Sequence, residues 1–154
     1  PAVAAIPITP DQYKFLVAWE IDYAPGDRDI YGLAIAEDGT PNPTDVKISI
    51  TNADESSPAI GGTEDNSEYF VAWRHSQGVV DKPIKGRVVS HDGVLAGEPT
   101  EFSGVNADHP AVAAGPVGDF AVIWQDQPAF ATDTNIYGQL WGNRIYLPMV
   151  LRNW

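Results

Sequence analysis

The chain has 154 residues, no cysteine, 21 acidic against 9 basic side chains, and a net charge of -12. That length buries one sizeable core and predicts a single domain over residues 1–154. The charge excludes nucleic acid and anionic lipid as natural partners, the missing thiols exclude cysteine nucleophiles, and no apolar run reaches the roughly 18 residues of a membrane span.

Five Trp, six Tyr and five Phe against one Met and thirteen Pro point to strands and turns. The acidic, lysine-poor, Trp-rich composition predicts an extracellular or cell-surface address. The chain opens at Pro1 without an initiating Met, as expected of a processed form or a piece of a longer protein.

In chain order, the first predicted strand is the small-residue run "PAVAA" at Pro1 to Ala5. The second is "FLVAW" at Phe15 to Trp19, with Phe15, Val17 and Trp19 on one face and Leu16 and Ala18 on the other. A polar loop leads to "DIYG", ending at Gly32, and a turn at Asp38-Gly39 precedes "VKISI". In that run Val46, Ile48 and Ile50 alternate with Lys47 and Ser49, the pattern of a half-exposed outer strand.

The order then repeats. "PAIGG", "YFVAW", "PIKG", an Asp92-Gly93 turn and "TEFSG" make a second unit. "PAVAAG", "FAVIW", "NIYG", Gly142-Asn143 and "RIYLPMVL" make a third. Landmarks recur every 51 to 57 residues, a period of propellers and stacked arrays. The units fall at 1–57, 58–109 and 110–154.

Small residues in each first strand suit a crowded centre where sheets converge. Strands apolar on both faces require sheets sandwiched between sheets. The predicted fold is therefore all-β: three four-stranded antiparallel, propeller-blade-like repeats, closed or extended by oligomerisation. The series "PAVA", "FLVAWE", "DRDIYG" and a DG turn resembles the blades of secreted bacterial β-propeller repeat proteins and, more distantly, TolB-like propellers. The ending "RIYLPMVLR" is similar to C-terminal tails of some secreted bacterial proteins. The resemblance implies a fold and an address, and no activity.

Closed propellers use about four to eight blades, so three units leave two apolar faces needing cover. A ring of two chains, a head-to-tail filament and a longer parent propeller each provide it. The last run presents Ile145, Leu147, Met149 and Leu151 on one side and Tyr146 and Val150 on the other. This predicts a subunit interface at Tyr146, Leu147, Met149, Val150, Leu151 and Trp154, against the alternative of packing on the chain's own loops.

Catalytic, cofactor and metal residues are predicted to be none. Glu20, Asp22, Asp27 and Asp29 crowd one loop, but their spacing is not that of an EF-hand and the second unit keeps only Asp81, so a solvated acidic loop is expected rather than calcium. His75, His91 and His109 form no zinc pattern and are expected in surface or loop positions. Trp19, Trp73 and Trp124 are expected in inter-blade cores, and Tyr31 and Tyr137 beside them. Trp141 and Trp154 fall outside the repeat and are expected at surface contacts.

The expected function is that of a non-enzymatic extracellular structural protein that self-assembles, its partner another copy of itself. The alternative is a carbohydrate-binding propeller module that stacks extracellular glycans on Trp.

Overall fold

A computed structural model describes residues 1–64, 68–78, 82–102, 106–115, 118–127, 134–142 and, for the backbone alone, 149–151. The described residues contain strands and turns and no helix. The first sheet is β1 (Ala2–Thr9), β2 (Gln12–Ala24), β3 (Asp27–Ile35) and β4 (Val46–Ser49). The second is β5 (Asp54–Gly62), β6 (Glu68–Ser76), β7 (Ile84–Ser90) and β8 (Leu95–Glu101). The third is β9 (Ala107–Ala114), β10 (Phe120–Asp126), β11 (Asn135–Trp141) and β12 (Met149–Leu151). In each sheet the strands pair antiparallel in sequence order.

The turns follow from local chemistry. Gly39 and Gly93 adopt φ of 84° and 83°, the left-handed conformation that glycine enters without a Cβ clash. The hairpin closes identically at both: Gly39 N donates to Ala36 O and Ala36 N to Thr40 O, as Gly93 N donates to Ser90 O and Ser90 N to Val94 O. This is a three-residue hairpin loop with its glycine at the bulge position.

The sheets stack face to face, and the middle one is buried on both sides. Tyr69, Val71 and Trp73 of β6 enter a core with Ile6, Leu16, Ala18, Ile30 and Ile48 of the first sheet. Phe70 and Ala72, on the opposite face of the same strand, enter a second core with Phe120, Val122 and Trp124 of the third. The double-sided apolar pattern of β6 is thus explained by two different neighbours. The stack does not close on itself: the first and third sheets pack on opposite faces of the second.

The small-residue strands lie where the sheets come nearest. A Cβ on Gly61 would sit 2.7 Å from Val112 Cγ1 of β9, and one on Gly62 would sit 2.8 Å from the carbonyl oxygen of Ala5 in β1. Both β5 and β9 begin ahead of the motif prolines Pro58 and Pro110. Each is bulged just before its proline, with Ser57 at φ 56° and His109 at φ 50°.

Two outer-strand expectations are corrected. The ladder between β3 and β4 shifts register between Ile30 and Tyr31, so Ser49 is buried and Ile50 is 47% exposed. Simple alternation fails there because a bulge turns the side chains over. In the second unit the outer strand runs Leu95–Glu101, ahead of most of "TEFSG". Phe102 then anchors it by donating its N–H to Ile84 O and burying its ring against Phe70 at 5.7 Å.

Candidate functional site

Two surfaces stand out, both made by the alternation of a strand that has a neighbouring sheet on one side only. Along β2, Leu16 and Ala18 point into the first core, so Phe15, Val17, Trp19, Ile21 and Tyr23 point outward. Leu33 and Ile35 of β3 sit opposite Val17 and Phe15 and share this face. Val3 is 64% exposed on it, and Tyr23 is 58% exposed with its hydroxyl 2.7 Å from that of Tyr31. On the third sheet, Val122 and Trp124 point inward, leaving Ala121 and Ile123 of β10 outward beside Ala111 and Ala113 of β9.

Comparing the repeats gives these surfaces meaning. Phe15, Val17 and Trp19 occupy the register of Tyr69, Val71 and Trp73 and of Phe120, Val122 and Trp124. Ala121 and Ile123 occupy the register of Leu16 and Ala18 and of Phe70 and Ala72. Within the chain the Trp-bearing face of one sheet packs on the opposite face of the preceding sheet, twice. Among the described residues, the two outward faces are the unmatched halves of that same contact.

The aromatic expectations divide accordingly. Trp73 is fully buried and Trp124 6% exposed, with Tyr137 stacked on Trp124 at 6.3 Å. Trp19 is half-buried on the outward face. Trp141 is corrected: half-buried, it packs against the second core, 5.1 Å from Phe70 and 6.0 Å from Phe120. Its neighbour on β10, Phe120, lies directly opposite in the ladder, a pairing that no repeat landmark marks.

Of the predicted interface residues, Tyr146, Leu147 and Trp154 lie outside the described residues. Met149, Val150 and Leu151 form β12, whose backbone pairs with Gly138, Tyr137 and Ile136 of the chain's own third sheet.

The acidic stretch is not a solvated loop. β2 and β3 run on as one hairpin to a Pro25-Gly26 turn, where Gly26 has φ 80°. Arg28 grips Asp54 with two donors, Nε to Oδ1 at 2.6 Å and Nη2 to Oδ2 at 2.8 Å, and donates from Nη1 to Glu20 at 3.0 Å. Glu20 in turn accepts from the Ser57 N–H at 2.7 Å. This cluster ties the first sheet to the second and holds the Asp54 carboxyl below the usual carboxylate range through its Arg28 hydrogen bonds.

Asp29 is 3% exposed and accepts from Thr51 N at 3.2 Å. Burial pushes its carboxyl up, with the nearby Glu55 adding to the effect. Asp22 alone of these acids has a largely exposed side chain, 80%. Glu20 and Asp29 are thus engaged by Arg28 and by backbone donors. His75 is likewise corrected from surface to interior: it lies in β6, 7% exposed, with Nδ1 2.9 Å from Oε1 of the fully buried Glu55. The consecutive polar residues of "WRHS" gave no sign of burial, because the partner lies twenty residues earlier on β5.

No protein-family model matches the chain, and neither the curated proteins nor the solved structures contain a significant match to it.

Proposed function

We propose that the chain is a non-enzymatic structural protein of the extracellular space or cell surface, related to secreted propeller-repeat proteins, whose subunits assemble by continuing the stack of blades. The Trp19 face of one copy packs on the Ile123 face of the next, giving a closed ring of two chains or a filament.

One observation carries this reading: the chain makes the same sheet-on-sheet contact twice internally and presents both of its halves unmatched at its ends. Apolar sheet faces of this kind are what soluble monomers keep covered, and burying them gains about 25 cal/mol per Å². Sedimentation velocity across a wide concentration range tests it. Concentration-dependent assemblies are expected for the natural chain, and a folded monomer for Val17→Asp. A natural chain that stays monomeric at every concentration would overturn the proposal. Electron microscopy distinguishes ring from filament.

A carbohydrate-binding module is the second reading, and Trp19 on the outward face is the residue that favours it, since Trp73 and Trp124 are committed to cores. A glycan array with the natural chain and Trp19→Ala tests it.

A further inference from the structure

The two junctions between sheets differ in charge in a way that points to a ligand. At the first junction Arg28 is neutralised by Glu20 and Asp54, and Glu20 also takes the N–H of Ser57. By strand register the same four positions at the second junction are Lys82 for Arg28, Arg74 for Glu20, Asn106 for Asp54 and His109 for Ser57. Asp108 replaces the neutral Ser56. One cation with two carboxylates, net -1, has become two cations with one carboxylate, net +1, in a chain of net charge -12.

The register equivalents of the first junction's charged cluster border an open space at the second. A cavity of about 140 Å³ lies there, lined among others by Arg74, Lys82, Asn106, Asp108, His109 and Gln125. Arg74 is only partly paired, acting on the Asp54 carboxylate at longer range. The Arg74 Nε–H is buried and finds no acceptor among the described residues. The nearest carboxylate oxygen among the described residues, Asp108 Oδ1, stands 4.0 Å away and already accepts from the His109 N–H at 2.8 Å. Asn106 uses its amide to donate to Gln127 O at 3.0 Å. A buried guanidinium donor without an acceptor is costly, and a planar oxoanion satisfies it best.

We infer that this cavity binds a small carboxylate, which takes the place held at the first junction by the side chain of Glu20. Arg74 donates to it from the cavity wall and Lys82 supplies the second positive charge, while Asp108 opposes multiply charged anions. This site is independent of the assembly faces.

The test titrates the natural chain with sodium acetate against sodium chloride at constant ionic strength, following the Arg74 Nε–H and His109 amide resonances. Saturable shifts with acetate beyond those with chloride are expected. Arg74→Glu places a carboxylate where the first junction has one, so it should fold and bind acetate at least tenfold more weakly; Lys82→Gln should do the same. Acetate shifts no larger than those of chloride, or unweakened binding in a folded variant of either residue, would overturn the site. If Arg74→Glu does not fold, Lys82→Gln decides alone. Glucuronate competing with acetate would identify the carboxylate as that of an acidic sugar; acetate binding without such competition would identify a free small acid.

Discussion

Single residues in the two cores carry most of what holds the stack together. Trp73 is fully buried between the first and second sheets, so Trp73→Ala removes a large apolar ring and leaves a void. We expect a loss of about 3–5 kcal/mol, read by urea denaturation. Two carboxylates respond to pH in opposite senses. Asp54 has its folded pKa depressed by Arg28, so its contribution is present above its unfolded value of about 3.9 and fades as pH falls through the folded value. Asp54→Asn should therefore lower stability by about 1–2 kcal/mol near neutral pH and little in strong acid. Asp29 has its folded pKa raised by burial. It favours the fold below about pH 3.9, and that advantage is lost as pH rises through the folded value. Asp29→Asn should flatten this decline in urea midpoints between pH 3 and 7. Trp73 was legible as a core residue because three Trp recur in register at the end of apolar strands. The buried His75–Glu55 pair was not, because its partners come together only through the β5–β6 ladder.

At the scale of elements, the strand β5 shows how composition becomes geometry. Its glycines lie where β1 and β9 both approach, and a Cβ on Gly62 would crowd the Ala5 carbonyl at 2.8 Å and the Ile6 side chain. Gly62→Val should push the first two sheets apart and cost about 1–3 kcal/mol, measured by thermal unfolding. The inner strands, the Trp-bearing second strands and the DG turns could all be read from the repeat, since each follows from a local rule of size, alternation or turn chemistry. The outer strands could not. β4 is shifted by a bulge that leaves the successive residues Ile48 and Ser49 both buried, and β8 starts at Leu95 because the tight Asp92-Gly93 hairpin returns the chain at once. The acidic hairpin was misread for the same reason: Glu20 and Asp29 find their partners on the linker and strand that begin the next sheet.

For the whole molecule the decisive property is polarity of stacking. If assembly joins the Trp19 face of one copy to the Ile123 face of another, each contact uses two different surfaces, and the variants can be complementary. Val17→Asp spoils one surface and Ile123→Asp the other, so each alone should remain monomeric. An equimolar mixture should form a dimer that grows no further, because one intact pair of faces remains. Light scattering of the mixture checks this; assembly by Ile123→Asp alone would instead indicate like faces meeting. The outward faces themselves were foreseeable from three units being too few to close, whereas the cationic cavity at the second junction was not, since its meaning lies in a comparison of spatially equivalent side chains.

The recurrence of one contact geometry also bears on how such a chain lengthens. A tandem duplication of some fifty codons would append a further sheet whose docking surface already exists, so the polypeptide can gain or shed whole modules without inventing a new mode of packing.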